Sequence, residues 1–225
     1  MTVEPSSSSV KAEQSSSSEK AEASSSSSKT QESSSYYQHI GKADVVVGGL
    51  QHQQENHDPH RSLRFKYEKQ ADLHRSAAER SLQPYDKFTT FNFMMRRSTF
   101  LCILFDKTCK DYGYEDALFG VELKRRSISI LHIDNPLTHL GIDTNERFLE
   151  KSEQALRNLK ALGRRMEQHS HLERTYQHLC KRHLDGAIRG FHSMFGGLIK
   201  RNLLSRHPSL FLFSLYKLGY YATLK

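Results

Sequence analysis

The sequence predicts an α/β domain set between a serine-rich N-terminal segment and a helical C-terminal region, and three observations carry that prediction. A short buried strand is read from Asp44 to Val47, supported by three consecutive β-branched residues, Val45, Val46 and Val47, and closed by Gly48-Gly49. Ile128, Ile130 and His132 recur at period two and stop at a proline turn, "NPLTHLG", which reads as a second strand. Between them Tyr114 with Leu118, and Phe119 with Leu123, stand at helical i, i+4 spacing.

Residues 1–35 come first and cannot build a core. Sixteen of them are serine, in blocks spaced by Lys, Glu, Ala and Gln, so the segment is expected to be disordered, and it lacks the apolar stretch of a secretory signal. The segment holds three Lys and five Glu, which leaves thirty Lys+Arg against twenty Asp+Glu over residues 36–225, a net charge of +10. That balance suits nucleic acid, anionic lipid or a phosphorylated ligand. Zinc spacing, an RNA-binding aromatic motif and a basic zipper are all missing, and the basic residues are dispersed, so nucleic acid is not expected as a partner. Cys102, Cys109 and Cys180 are odd in number and form no CxxC pair, which points to a reducing, cytoplasmic setting.

From the valine strand the chain enters "QHQQENHDPH", read as a polar loop in which His52, His57 and His60 are exposed. Residues 61–82 read as helical or irregular cover. "KFTTFNFMMRR" reads as a strand, with Phe88, Phe91 and Phe93 in the core, running into a helix near Ser98. The loop from Phe105 to Lys110 then delivers "DYGYEDALFG". A helix is expected from Glu115 to Arg126, with Lys124, Arg125 and Arg126 at its negative end. Residues 36–142 are taken as the α/β domain and residues 143–225 as a helical extension. Asp143 and Glu146 have capping-box spacing at the head of a long helix whose face is Phe148, Leu149, Ala155, Leu156, Leu159, Leu162 and Met166. A second helix uses Leu172, Tyr176, Leu179 and Leu184. The tail combines Ile188, Phe191, Phe195, Leu198 and Ile199 with Lys200, Arg201 and Arg206. Its last apolar run, Leu210 to Leu218, is too short to span a bilayer, and the tail suits either an interfacial membrane helix or packing on its own domain.

The acid pair Glu115-Asp116 is the chemical focus. Gly113 permits a tight turn, and the first turn of a helix favours ionised carboxylates. Successive helical residues point about 100° apart, so the two acids address different atoms. One can accept a proton from an attacking hydroxyl while the other binds substrate or fixes the turn; acids in that position also serve as simple dipole partners.

"YGYEDALFGVELKRRSISILHIDNPLTHLG", with "ADVVVGG" and "FTTFNFMMRR" before it and "TNERFLEKSEQALRNL" after it, resembles the C-terminal half of a bacterial family 2 glycosyltransferase of the galactosyltransferase C-terminal type. The similarity covers roughly Tyr36 to Leu162. It implies part of an A-type nucleotide-sugar fold, a mixed sheet with flanking helices. It also implies transfer of a hexose such as galactose from a nucleotide sugar to a glycan or lipid-linked acceptor, with inversion. Asp116 matches the catalytic base, with Glu115 as acceptor-binding neighbour or alternative base. Phe91, Asn92, Tyr112, Gly113 and Tyr114 fall at the sugar pocket. His139, and second His132, match a ligand to a divalent metal, Mn²⁺ or Mg²⁺, that neutralises the leaving diphosphate. The setting implied is the cytoplasm, peripheral at the inner membrane face.

The family's nucleotide-binding half, with its Asp-x-Asp metal motif, is not matched, and no two aspartates stand two apart. The expectation is therefore a truncated form with reduced or no activity, and the alternative is a non-catalytic glycan- or partner-binding module. A sheet without its central strands is further expected to expose Val45 to Val47, leading to self-association or cover by a companion chain.

Overall fold

A computed structural model describes residues 35–52, 55–103, 113–166 and 169–224. The serine tract up to residue 34, Tyr112, Cys109 and the Phe105 to Lys110 loop lie outside the described residues. The chain divides into two compact units, Met1–Lys42 and Ala43–Lys225. In the first, the described residues make successive turns, with His39 N–H donating to the Tyr36 carbonyl at 3.0 Å and Lys42 N–H to that of His39 at 3.1 Å.

The second unit is α/β. Its strands are β1 (Val45–Val47), β2 (Leu50–His52), β3 (Phe93–Met95), β4 (Ile130–His132) and β5 (Leu137–His139). Its helices are α1 (Ser62–Asp72), α2 (Ala77–Ser81), α3 (Arg97–Ile103), α4 (Glu115–Arg125), α5 (Asn145–Leu162), α6 (His171–Lys181), α7 (Asp185–Leu203) and α8 (Leu210–Thr223). β1 is central in a mixed sheet, antiparallel to β3 and parallel to β4, with Val46 opposite Met94 and Leu131. β2 and β5 form a separate parallel pair. The two sheets are stitched together by Ile133, Asn135 and Leu137 N–H groups, which donate to the carbonyls of Val47, Gly48 and Gly49 at 3.0, 3.1 and 3.3 Å.

Three corrections follow. Val45, Val46 and Val47 are all at most 1 % exposed, because β3 and β4 cover both edges of β1 and α4 covers a face. Burial of each contributes roughly 1.5–3 kcal/mol, so the expected exposed strand is absent. The "QHQQENHDPH" stretch also begins in a strand, and His52 is 3 % exposed rather than a loop histidine. "NPLTHLG" likewise contains β5 instead of only a turn.

Three apolar clusters fill the interior. Val45, Val47, Phe88, Phe119 and Leu123 join the sheet to α4. Leu118, Leu156, Leu159, Leu162, Met166 and Tyr221 join α4, α5 and α8. Leu63, Phe148, Leu149, Ile199, Leu203, Phe213 and Tyr216 join α1, α5, α7 and α8. The helical region thus shares its core with the α/β region. α5 is capped by Thr144, whose Oγ1 accepts from Arg147 N–H at 3.3 Å, and ends at Gly163 with φ 51°. The expected cap, Asp143, is taken up instead by Arg64 and Lys151. Among the described residues no helix is long and apolar enough to cross a membrane.

Candidate functional site

α4 starts abruptly. Tyr114 precedes it at φ 69°, Gly113 at φ 100°, and no side chain caps it, so Glu115 and Asp116 are the groups that meet its positive end. The turn is fixed from α5: Asn158 Nδ2 donates to the Gly113 carbonyl, and a Cβ at Gly113 would lie 2.5 Å from the Ala155 Cβ. The acids diverge as their helical positions require. Asp116 accepts hydrogen bonds from Thr90 Oγ1 at 2.5 Å and Thr89 Oγ1 at 3.3 Å. Glu115 Oε2 is buried and has no hydrogen-bond partner.

The threonines lead directly to Phe91, which is 40 % exposed and whose ring centroid lies 5.3 Å from that of His139. The parallel register of β2 and β5 sets His52 opposite His139, and their rings are 5.6 Å apart. His52 is held from behind: Asp72 accepts from its backbone N–H and meets its Nδ1, both at 3.2 Å. Asp116, Phe91 and His139 are therefore linked through a few consecutive contacts, with His52 as a member that the sequence did not disclose.

The remaining expected residues divide otherwise. Asn92 is 6 % exposed and donates to the carbonyls of Gly49 and Asn135 at 2.9 and 2.7 Å, holding the turn between β1 and β2 against the chain before β5. Tyr114 packs with Leu118, Leu156 and Tyr221 on the α5–α8 side, where burial pushes its hydroxyl pKa up, partly offset by Ser170. Tyr112 falls outside the described residues.

His132 sits in a network around Arg80. The Arg80 guanidinium, 5 % exposed, donates to the carbonyls of Val47, Gly48, Ile133 and Arg75 at 2.8–3.4 Å, and its Nη1 meets His132 Nδ1 at 2.8 Å. His132 Nε2 donates to the Pro84 carbonyl at 3.0 Å in this arrangement. Burial holds the imidazole below its ordinary pKa; the Pro84 bond opposes that shift and Arg80 adds to it.

These contacts decide what a metal would meet. Both nitrogens of His132 are engaged, so it has no lone pair to offer without losing a partner. His139 Nδ1 is buried and unpartnered and fits a ligand role. Among the described residues no group of three or more His, Cys, Asp or Glu gathers around one point.

What lies beside His139 is cationic. A cavity of about 560 Å³ is lined by His139, Arg61, Arg64, Arg147, Lys151 and the 141–144 backbone. A smaller one, about 230 Å³, shares Arg64 and Lys151 with it and reaches Tyr114 and Ala155. Arg61 with Arg64, and Arg147 with Lys151, stand one helical turn apart, the sequence signal for a shared face. Only their convergence across α1 and α5 made them a site. Comparison with protein-family models, with curated proteins and with solved structures finds no match.

Proposed function

We propose that this chain is a glycosyltransferase-related α/β domain that transfers a hexose such as galactose from a nucleotide sugar to a glycan or lipid-linked acceptor with inversion, Asp116 acting as base. The observation that carries this reading is the pair of threonine hydroxyls that hold the Asp116 carboxylate at the entry of α4, next in sequence to the Phe91 ring packed at a tilt against His139. In the reaction the acceptor oxygen attacks the anomeric carbon and its proton passes to an Asp116 oxygen. The bond from that carbon to the diphosphate breaks, and the diphosphate leaves with the electron pair. Phe91 offers an aromatic face to the sugar ring, and Glu115 Oε2 is an acceptor for a substrate hydroxyl. A divalent cation, when bound, would supply charge neutralisation at the leaving diphosphate.

The lack of an Asp-x-Asp pair in the sequence favours a second reading, a non-catalytic glycan- or partner-binding module that keeps the sugar pocket. Membrane association accompanies either reading. α7 presents Phe191, Met194 and Leu198 outward, at 38, 69 and 66 % exposure, in line with Leu184 just before the helix at 42 %, along one stripe that runs into exposed Arg201. Apolar contact edged by cations suits the surface of an anionic bilayer.

Turnover of UDP-hexoses with Mn²⁺, Mg²⁺ or chelator, by wild type and Asp116→Asn, separates the two. Loss of transfer in a folded Asp116→Asn chain supports the enzyme. Saturable sugar binding without turnover supports the module, and turnover that survives Asp116→Asn removes Asp116 from the base role.

A further inference from the structure

We propose that the cavity at the start of α5 binds a diphosphate group directly through side-chain cations. The inference depends on the proposed function only for what molecule carries the diphosphate.

Four permanent cations, Arg61, Arg64, Arg147 and Lys151, line the cavity, against one carboxylate, Asp143. Asp143 is already shared: Arg64 Nη1 donates to it at 2.8 Å and Lys151 Nζ to both its oxygens at 2.9 Å. The other acids nearby are held in pairs that an incoming anion can displace. Arg61 with Asp58, and Arg147 with Glu150, are each roughly half exposed on both sides, and pairs so open to water contribute little. Glu68 lies 3.1 Å from Arg64 Nε but also meets Arg75 at 2.8 Å.

A second, independent observation points to a ligand. Buried polar atoms without partners are uncommon in folded proteins. Among the described residues His139 Nδ1 is such an atom on this wall, while Arg64 Nε has only the Glu68 carboxylate at 3.1 Å, which Arg75 also claims. The lining carries four cations to one carboxylate, and phosphate oxygens are acceptors that balance the excess. The first turn of α5, an 18-residue helix capped by Thr144, adds the positive end of its dipole to the same space. Guanidinium groups in fork geometry and a lysine point charge together match two linked phosphates in a concave site better than one carboxylate or a flat nucleic-acid strand.

The test is calorimetric titration of the full chain with inorganic pyrophosphate in the presence of chelator, for wild type, Arg147→Ala and Lys151→Ala. Arg189→Ala on α7 serves as a surface control, and each variant's thermal unfolding is recorded. Saturable one-to-one binding is expected, weakened roughly tenfold or more by each cavity substitution and unchanged by Arg189→Ala. No saturation at millimolar pyrophosphate, equal loss with Arg189→Ala, or tighter binding of a random single-stranded oligonucleotide overturns the proposal. Binding that disappears with chelator also overturns it, because the anion is then held by a metal. UDP binding tighter than pyrophosphate assigns the site to a nucleotide; farnesyl diphosphate binding tighter assigns it to a lipid carrier. Pyrophosphate binding by a chain without transfer activity keeps this site and removes the enzyme, whereas transfer unaffected by Lys151→Ala in a chain that binds no pyrophosphate does the reverse.

Discussion

Replacing Gly113 by alanine tests how the acid pair is positioned. The residue stands at φ 100°, and its new Cβ would lie 2.5 Å from the Ala155 Cβ and 3.0 Å from the Ala155 Cα. Unstrained carbon contacts sit near about 3.5–4.0 Å, so the α4 entry and α5 must separate by roughly an ångström. Ala155 has no side chain beyond the clashing atom to swing aside. Overpacking of this kind costs roughly 1–3 kcal/mol, and a left-handed backbone adds roughly 1–2 kcal/mol for a residue with a Cβ. The sum, about 2–5 kcal/mol, is read by urea unfolding. Ala155→Gly removes the obstructing atom, so the double variant should be destabilised by about 1–3 kcal/mol less than the two single changes added together. A loss below about 1 kcal/mol for Gly113→Ala, or strict additivity of the pair, would refute the view that α5 holds the turn before Glu115 and Asp116.

Other outcomes follow from the same contacts. Arg80→Ala leaves several buried carbonyls without a donor and should cost about 3–5 kcal/mol in chemical denaturation; a loss under about 1 kcal/mol would show that water replaces the guanidinium. Burial holds the His132 pKa below its ordinary value of 6.5 in the folded chain, so the unfolded chain binds more protons between the two values and stability rises with pH there. The contribution is complete above pH 6.5 and is lost as pH falls from there through the folded pKa, and a melting profile between about pH 5 and pH 7.5 should flatten at its acid end in His132→Gln. Met194→Glu with Leu198→Glu should reduce sedimentation with phosphatidylglycerol vesicles without lowering the melting temperature, since both side chains are about two-thirds exposed; undiminished sedimentation removes the α7 stripe from membrane contact.

The sequence was legible where local pattern and burial coincide. Val45 to Val47 are a buried run because they are central in the sheet, and α4 and α5 carry their apolar faces at the spacing expected of helices. It was illegible where one residue's role is set by a distant one. His52 stands in a polar stretch, and only pairing of β2 with β5, some eighty-seven residues away, together with Asp72, buries it. Asp143 looks like a helix cap, yet Arg64, seventy-nine residues earlier, and Lys151 claim its carboxylate and the cap passes to Thr144. His132 and His139 look alike as strand-end histidines. Arg80, a charged residue in an undistinguished stretch, engages one of them and leaves the other unpartnered.

α5 relates the two halves of the site. Its middle, at Ala155 and Asn158, fixes the turn from which Glu115 and Asp116 project, while its first two turns, at Arg147 and Lys151, line the cationic cavity. At about 1.5 Å of rise per residue, Lys151 and Ala155 are separated by roughly 6 Å along the helix axis. The smaller cavity bridges that interval, with Arg64 and Lys151 at one side and Tyr114 and Ala155 at the other. A ligand with its anionic end among the cations would find open space continuing toward Tyr114, because one rigid helix borders both cavities.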